Sequence, residues 1–336
     1  MNENEREPVT REKRTNDLWL TEESSPALRL SLKVTDILHR ERTRYQDLLV
    51  VDTPEYGRTL MLDGAFQLTE RDEFCYSEMM AHVPLCAHPE PRRVLIVGGG
   101  DGAILREVLR HDCVERCTLV DIDERVIETS KQWLPTIGCA FGDPRADVRC
   151  MDAMEYIRST SDRFDVAIVD STDPVDFAAG LFQAPFYEDL KGVMDPRGMM
   201  VELTESPFTD QDLLRQATSQ MRSVFPVVRT YWGVVPTYPS GMWTYGAGSL
   251  SYDPRRRCAA WRARATTPTP STGPRSSCRP SSRTSSASDA PGGALTQALP
   301  RRFPLRPGRV PCSETRGRSR GWPGRTSMRP PSAGPS

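Results

Sequence analysis

The chain has 336 residues, 38% of them hydrophobic and 26% charged, and its formal net charge of −1 is the sum of two oppositely charged parts. Residues 1–254 carry 27 basic and 43 acidic side chains, whereas residues 255–336 carry 17 Arg, no Lys, one Asp and one Glu. The acidic part is long enough for one or two domains, lacks an apolar run of the ~18–20 residues that span a membrane, and by its charge favours a cationic substrate over nucleic acid.

The nine Cys are scattered without a CxxC pair, and the four His do not cluster with them in the sequence. This pattern indicates reduced thiols and argues against a zinc site, so we expect no metal. Residues 1–17 are charged throughout and contain no apolar stretch resembling a signal peptide. We therefore predict a disordered N-terminus and a cytoplasmic protein.

Residues 18–70 are predicted to form a small antiparallel β domain. Apolar residues alternate with mostly polar ones over 28–34, and further short apolar runs end at a turn-forming Asp-Gly pair at 63–64. The next segment, 73–82, has helical spacing, and this spacing predicts that Phe74 faces inward.

Strands and helices alternate from residue 92 onward, within a predicted catalytic domain of residues 71–253. The predicted strands are 94–97, 117–120, 147–150, 164–169, 199–203, 227–234 and 242–245, and the predicted helices are 104–109, 124–133, 153–157 and 211–225. This alternation predicts an α/β fold with a doubly wound, mostly parallel sheet. Three Trp residues are predicted to pack in its core: Trp133, Trp232 and Trp243.

Acidic residues follow several of these strands. Asp101 lies just past the first strand, Asp121 and Asp170 follow two others directly, and Asp152 lies past a fourth. Ligands bind at the carboxyl ends of the strands in doubly wound sheets, near the point where the strand order reverses. We therefore expect the four carboxylates to converge on one crevice.

Residues 98–103 read Gly-Gly-Gly-Asp-Gly-Ala between a predicted strand and a predicted helix. This pattern is typical of binding sites for dinucleotides and also of sites for adenosyl cofactors. Alternatively, it could be a tight strand-to-helix turn that binds no ligand. Asp101 favours an adenosyl ligand, because a carboxylate would repel a pyrophosphate at the helix N-terminus and attract a cationic group. Asp121 is a candidate acceptor for ribose hydroxyls and Asp152 for an adenine amine. The glycines of the loop are Gly98, Gly99, Gly100 and Gly102.

Residues 170–174 read Asp-Ser-Thr-Asp-Pro after a buried strand. Asp170 and Asp173 could be a helix N-cap and its neighbour, but beside Asp101 they are a candidate site for a polyamine. A primary amine has a pKa near ~10.4, so only about one molecule in a thousand is an unprotonated nucleophile at neutral pH. A carboxylate that binds the ammonium and takes its proton would remove a barrier of roughly 4 kcal/mol.

Eight motifs follow one another along the chain: Tyr-Gln at 45–46, Leu-Asp-Gly at 62–64, Gln-Leu-Thr-Glu-Arg-Asp-Glu at 67–73, Tyr-Ser-Glu-Met at 76–79, the glycine loop, Leu-Arg-Glu-Val at 105–108, the 170–174 motif and Pro-Thr-Tyr-Pro-Ser-Gly at 236–241. In this order they resemble the spermidine synthases, the polyamine aminopropyltransferases, from about residue 19 to residue 253. The resemblance implies an N-terminal β domain, a Rossmann-like, methyltransferase-like catalytic domain and a homodimer or homotetramer.

The resemblance also implies that the aminopropyl group of decarboxylated S-adenosylmethionine moves to a diamine, with release of methylthioadenosine. The donor would be a co-substrate and no further cofactor would be needed; putrescine is the default acceptor. By position, Asp101 would hold the aminopropyl ammonium and Asp170 would be the catalytic base. The nucleoside would be held by Gln46, Asp121, Asp152 and Ala153. The acceptor would be lined by Tyr76, Ser77, Asp173 and Tyr238.

Several residues differ from those usual in the family, and most of them lie on the acceptor side or in the loop after the acidic motif, where Asp176-Phe177 replaces a Gly-Pro. Ser77 stands where His or Gln is common, and Leu203 stands where many members have Gln. Asp121 replaces a Glu, and Ala153 replaces a Gly. The acceptor therefore stays open among putrescine, cadaverine, agmatine and a longer polyamine.

Residues 254–336 are rich in Arg, Pro and Ser without an apolar period, and we predict that they are disordered. Two interpretations stay open: an out-of-frame reading of a GC-rich gene, or a genuine basic tail that binds nucleic acid or acidic partners. Two functional alternatives also stay open. One is an inactive homologue with a disrupted C-terminus, and the other is an S-adenosylmethionine-dependent methyltransferase, against which Asp101 and the Asp170/Asp173 pair argue.

Overall fold

The chain forms two antiparallel β-sheets followed by a larger mixed sheet flanked by helices, in a computed structural model that describes residues 17–171, 180–251 and 253–254. The segments predicted to be disordered lie outside the described residues, except for Asp17 and Pro254. Asp173 also lies outside them. Among the described residues, no helix combines the length and the apolar character needed to cross a membrane.

The N-terminal part consists of a hairpin and a four-stranded antiparallel sheet in the order β3-β4-β5-β6. The hairpin strands are β1 (Leu18–Ser25) and β2 (Leu28–Val34), and the sheet strands are β3 (Asp36–Arg42), β4 (Asp47–Thr53), β5 (Gly57–Leu62) and β6 (Ala65–Thr69). The predicted antiparallel sheet is confirmed. The sequence did not predict β1, because Trp19 and its neighbours stay largely exposed and the strand lacks a regular apolar alternation.

The central sheet has seven strands in the order β12-β13-β11-β10-β7-β8-β9. Its strands are β7 (Arg93–Gly98), β8 (Arg116–Asp121), β9 (Ala146–Cys150), β10 (Phe164–Asp170), β11 (Met194–Leu203), β12 (Val227–Val234) and β13 (Met242–Ser249). The helices are α1 (Phe74–Ala87), α2 (Ala103–Leu109), α3 (Glu124–Trp133), α4 (Ala153–Ser159), α5 (Ala184–Gly192) and α6 (Gln211–Val224), with a short 3-10 helix at Gly138–Gly142. Strands β7 to β11 pair in parallel, and β13 is antiparallel to both of its neighbours. The predicted doubly wound, mostly parallel sheet is confirmed.

Successive residues of the central strands point to opposite faces, so each fully apolar strand supplies two cores. Ile96 of β7 and Ile168 of β10 pack toward α1 and α2, in one core. Leu95 and Ala167 pack on the other face, with apolar residues of α4, α5 and α6. These near-continuous apolar runs are buried on both sides, which explains why the sequence already indicated a parallel sheet.

A third core joins the N-terminal sheet to the first helices of the central domain. Leu48, Val50 and Leu60 of the small sheet pack with Val126 of α3 and with Leu134 just beyond it. Arg58 also donates a hydrogen bond to the carbonyl oxygen of the helix end, at 2.5 Å. The small sheet therefore lies against α3, beside the carboxyl ends of β7 and β8.

Two predictions of buried aromatic residues were wrong, and one helix was missed. Phe74 is 48% exposed, because it is the first residue of α1 and the inward face begins with Tyr76. Trp232 is 58% exposed, because it lies on β12 at the edge of the sheet, where alternate side chains face solvent. Helix α5 has only nine residues and begins with an Ala-Pro pair, so its short apolar pattern gave no helical signal.

Candidate active site

The candidate active site is a cleft at the carboxyl ends of β7, β8 and β10, with a volume of about 1260 Å3 that includes the open solvent at its mouth. The strand order reverses between β7 and β10, so the cleft lies at the switch point of the sheet. None of the described residues that line it is Lys, Arg or His. Its acidic lining residues are Asp72, Glu73, Asp101, Asp121, Asp152 and Asp170. This charge distribution favours a cationic ligand.

The glycine loop after β7 approaches the neighbouring strand ends so closely that a side chain would not fit. Gly98 has a φ of +79°, and a Cβ there would lie 2.0 Å from the backbone carbonyl oxygen of Asp170. At Gly100 a Cβ would lie 2.7 Å from Asp121 Oδ2. Of the four predicted glycines, the cleft is lined by Gly98, Gly99 and Gly100, and the N-cap of α2 is Gly102.

Asp121 ends β8 and is held by two backbone donors. The Gly100 N–H donates to its Oδ2 and the Asp123 N–H donates to its Oδ1, both at 2.8 Å. Burial raises the pKa of Asp121 to about 6, although both hydrogen bonds act in the opposite direction. A carboxylate has about four acceptor sites, so this fixed side chain retains acceptor capacity for hydroxyl groups of a ligand.

Gln46 comes from the N-terminal part of the chain and lines the cleft, where a hydrogen bond to Asp123 holds its side chain. Its Nε2 donates to Asp123 Oδ2 at 2.9 Å, and Thr43 Oγ1 donates to the same oxygen at 2.7 Å. Asp123 is also the N-cap of α3, because its Oδ1 accepts the N–H of Arg125 at 3.1 Å. One carboxylate therefore joins the small sheet, the helix and the cleft wall, across a sequence separation of 77 residues.

Asp152 and Ala153 line the cleft at the start of α4. Asp152 is an N-cap, because its Oδ1 accepts the backbone N–H of Met154 at 2.7 Å. Its side chain is exposed, and Ala153 is half-buried. The structure therefore brings both residues to the same edge of the cleft as Asp121.

Asp101 and Asp170 are neighbouring carboxylates in the cleft. Asp101 Oδ1 accepts the N–H of Ala103 at 2.7 Å, and Tyr76 Oη donates to Asp170 Oδ1 at 2.5 Å. Burial and the nearby charges of Asp101 and Asp121 raise the pKa of Asp170 to about 8, although the Tyr76 hydrogen bond lowers it. Burial, together with the charge of Glu73, likewise raises the pKa of Asp101 to about 6. The charge of Arg106 opposes the rise at Asp101 but does not cancel it, so a bound cation would supply the missing positive charge.

Aromatic side chains form the wall next to Asp170. The Tyr76 ring lies 5.8 Å from that of Tyr238 and 5.9 Å from that of Tyr245. Tyr238 also packs edge-on against Trp243 at 5.0 Å, and its hydroxyl donates to the carbonyl oxygen of Gln67 at 2.7 Å. These faces exclude water while attracting cations through the ring quadrupole.

Ser77 is the described acceptor candidate that the structure does not place in the cleft. It is fully buried, and its hydroxyl donates to Glu73 Oε2 at 2.8 Å and to the Glu73 carbonyl oxygen at 3.1 Å. Glu73 itself lines the cleft and pairs with Arg106 at 2.8 Å. Ser77 therefore lies behind the cleft wall, and its assignment to the acceptor stays a prediction, as does that of Asp173.

A second cavity adjoins the cleft and contains carboxylates that the sequence did not single out. Tyr76, Asp170 and Tyr238 line both the cleft and this second cavity, which is also lined by Glu22 and Glu205. Glu205 is buried with a φ of +67°, an unusual backbone conformation for a residue with a side chain. Glu205 could have been found by the rule that found Asp121, because it follows β11 in a parallel sheet.

Asp72 is a further residue that the sequence did not assign. Its Oδ1 accepts the Thr69 hydroxyl at 2.6 Å, and its Oδ2 accepts both the N–H and the hydroxyl of Thr237, at 2.9 and 2.7 Å. Thr237 precedes Tyr238, so this carboxylate fixes the tyrosine loop to the turn before α1. It acts by positioning the aromatic wall.

Two family models match the chain. The spermine/spermidine synthase domain matches residues 73–254, and the spermidine synthase tetramerisation domain matches residues 18–70. A polyamine aminopropyltransferase of Caldicellulosiruptor saccharolyticus is 48% identical over 238 residues, which are 71% of this chain and 86% of the relative. The polyamine aminopropyltransferase of Bacillus subtilis strain 168 is 43% identical over 239 residues, or 71% and 87% of the two chains.

Solved structures give the same relationship. A spermidine synthase in complex with the transition-state analogue AdoDATO superposes with a TM-score of 0.71 at 38% identity, over 74% of this chain and 85% of that chain. The spermidine synthase from Thermotoga maritima superposes with a TM-score of 0.67 at 38% identity, over 71% and 81%.

Proposed function

Because this chain belongs to the spermine/spermidine synthase family and is a polyamine aminopropyltransferase, we propose that its donor is decarboxylated S-adenosylmethionine and its default acceptor is putrescine. The products are then spermidine and methylthioadenosine. One observation carries the proposal most strongly. Asp101, Asp121 and Asp170 meet in a cleft whose described lining residues include no basic side chain.

The donor nucleoside is assigned to the edge of the cleft formed by the ends of β8 and β9. Asp121 accepts from the ribose hydroxyls, and Asp152 accepts from the adenine amine. Gln46 and Ala153 line the same edge. The anchored carboxylate of Asp121 supports this role, because two backbone donors already fix its orientation.

Asp101 selects the decarboxylated donor. Its carboxylate pairs with the aminopropyl ammonium, whereas ordinary S-adenosylmethionine would place an additional carboxylate in this acidic cleft. Like charges in a buried site are strongly unfavourable. The same reasoning disfavours a methyltransferase that uses the carboxylated donor.

The acceptor amine enters along Tyr76 and Tyr238 and binds to Asp170. Asp173 is proposed as a further acceptor ligand. The amine nitrogen attacks the methylene carbon attached to the sulfonium, the new C–N bond forms as the C–S bond breaks, and the sulfur leaves neutral in methylthioadenosine. Asp170 takes the amine proton, so the carboxylate becomes a carboxylic acid. Most of the catalysis is then alignment of nitrogen and carbon together with deprotonation.

A single assay tests this function. The full chain is incubated with decarboxylated S-adenosylmethionine and, separately, putrescine, cadaverine, agmatine or spermidine, and methylthioadenosine is quantified by chromatography. We expect methylthioadenosine with putrescine and none with ordinary S-adenosylmethionine. A methylated amine from the ordinary donor, or no methylthioadenosine with any acceptor, would contradict the proposal.

The chain is also proposed to be a homodimer or homotetramer through residues 18–70, the segment that matches a tetramerisation domain. Trp19 and Leu28 expose 54% and 40% of their surface in the β1–β2 hairpin, where apolar groups gain from association. Light scattering coupled to gel filtration should give two or four times the chain mass of 37.7 kDa. A Trp19→Ser variant should shift the mass toward the monomer, and an unshifted mass would remove the hairpin from the interface.

Replacing Asp101 by Asn is expected to lower the affinity for the decarboxylated donor by roughly 10- to 100-fold, because a charge-assisted contact contributes about 1.5–3 kcal/mol. Methylthioadenosine lacks the aminopropyl ammonium, so its affinity should change little. Calorimetric titration of both ligands into both proteins measures the difference. If the two affinities fell equally, Asp101 would have no specific role toward the ammonium.

A further inference from the structure

Helices α1 and α2 carry a cluster of potential metal ligands, none of which lines the cleft. Glu78 and His82 lie four residues apart on α1, so they share one helix face. Glu107 on α2 completes the group, and ligand atoms of the three side chains lie within 4.8 Å of one another. The sequence alone did not reveal this group of ligands, because Glu107 is 25 positions from His82 and no Cys belongs to the group.

The spacing of the two central ligands suits a single ion. His82 Nε2 lies 3.2 Å from Glu107 Oε2. Zinc binds imidazole nitrogen at about 2.0–2.1 Å and carboxylate oxygen at about 2.0–2.2 Å, so two adjacent ligands of one ion are separated by about 3.0–3.5 Å. No movement of either group is needed to bring both within bonding distance of one cation.

The other ring nitrogen of His82 already has a partner. His82 Nδ1 lies 2.9 Å from Nε2 of His111, and the two rings are tilted by 54° at a centroid distance of 5.0 Å. Histidine ligands commonly donate their second N–H to a neighbouring acceptor, which fixes the ring and the tautomer. Without an ion, an Nε2–H group would lie within hydrogen-bonding distance of Glu107 Oε2. A bound cation would replace this contact and select the tautomer in which Nδ1–H donates to His111, so that the lone pair of Nε2 faces the ion.

Two arginines hold the Glu107 carboxylate in the absence of an ion. Arg106 binds its Oε1 at 3.0 Å, and Arg110 binds its Oε2 at 2.6 Å and lies 3.8 Å from Glu78. The Arg110 side chain is 59% exposed, so it can turn into solvent and release Oε2.

We propose that Glu78, His82 and Glu107 form a binding site for a divalent transition metal ion of the zinc type, which would clamp α1 to α2. Mixed imidazole and carboxylate ligation suits Zn2+ and Co2+, and water would complete the coordination. His82 and Glu78 are 30% and 46% exposed, so an ion can enter from solvent. His111 orients His82, and Arg110 competes with the ion for Glu107.

The test is a titration of Co2+ into the full chain, carrying no affinity tag and freed of metal with a chelator. We expect one equivalent to bind with visible d–d bands and without the intense near-ultraviolet absorption of a Co–thiolate bond. This spectrum separates the site from cysteine thiolates. At a Zn2+ concentration 100-fold above the dissociation constant, the melting temperature should rise by about 5–10 °C.

Variants give a graded expectation. His82→Ala and Glu78→Gln should abolish the d–d bands or lower the affinity for Co2+ by at least about 10- to 100-fold, and His111→Ala should lower this affinity by about 10- to 100-fold. Arg110→Gln should raise the affinity for Co2+. The matched control is His39→Ala, because His39 Nε2 also lies near a glutamate, Glu41, at 3.4 Å, but in the described chain no third ligand joins that pair.

Glu78 is a half-exposed surface residue, so its variant tests the proposal even if His82→Ala fails to fold. Turnover in the presence of a chelator checks that each variant is folded. Absence of Co2+ binding by the parent chain, a thiolate band, equal affinity in Glu78→Gln, or equal loss in His39→Ala would each overturn the proposal. None of these results bears on the aminopropyl transfer.

Discussion

Replacing Asp170 by Asn is expected to lower turnover about a thousandfold at pH 7 while leaving the affinity for methylthioadenosine nearly unchanged. Asn keeps the size of the side chain and can still accept the Tyr76 hydrogen bond, but it cannot take a proton near neutral pH. The amine must then arrive already neutral, which costs roughly 4 kcal/mol at pH 7 for a pKa near ~10.4.

The pH profile distinguishes lost proton transfer from lost alignment. The cost falls by ~1.4 kcal/mol for each unit of pH, so the turnover of the variant should rise nearly tenfold per unit between about pH 7 and 9. The turnover of the parent protein should rise less steeply with pH. Asp165→Asn is a suitable control, because Asp165 lies at the opposite end of β10 and accepts the backbone N–H groups of Arg92 and Arg93. A parental profile in the Asp170 variant would show that Asp170 is not the base.

The same substitution is expected to stabilise the ligand-free protein at pH 8 by about 3 kcal/mol. Burial and neighbouring carboxylates raise the pKa of Asp170 from 3.8 to about 8. Between these values the folded state holds a proton that the unfolded state has lost, so stability falls as the pH rises through about 4 to 8. The shift corresponds to an upper limit of about 5 kcal/mol, and water in the cleft screens part of it.

Urea unfolding of the ligand-free parent and variant at pH 5 and pH 8 measures this effect. The parent should lose stability between the two values, and the variant should lose clearly less. Some dependence should remain below about pH 6, because burial also raises the pKa of Asp101 and of Asp121 to about 6. Equal pH dependence in the two proteins would show that Asp170 is ionised in the free cleft.

The two expected outcomes together would describe a site in which the same carboxylate lowers the stability of the free protein and serves the reaction. In the free cleft Asp170 lacks a cation and tends to hold a proton, so it is not yet a base. A bound ammonium supplies the missing positive charge and favours the ionised carboxylate. Amine binding should therefore activate the group that deprotonates the amine.

The amino-acid sequence by itself determined the parallel sheet and the location of its cleft. Buried parallel strands are apolar on both faces, so β7 and β10 were recognisable as uninterrupted runs. The carboxyl ends of parallel strands share one edge, so Asp101, Asp121 and Asp170 could be placed together from strand positions alone. The glycine requirement followed similarly, because only a residue without Cβ permits the turn between β7 and α2.

Tertiary structure alone decided what surrounds these residues. Gln46 and Asp123 are 77 positions apart, and His82 and Glu107 belong to different helices, so neither pair has a sequence period that would reveal it. Trp232 was wrongly expected in the core, because its exposure depends on β12 being the edge strand. Local patterns encode which face of an element is apolar, but which elements become neighbours depends on packing between distant segments, and that packing was visible only in the folded chain.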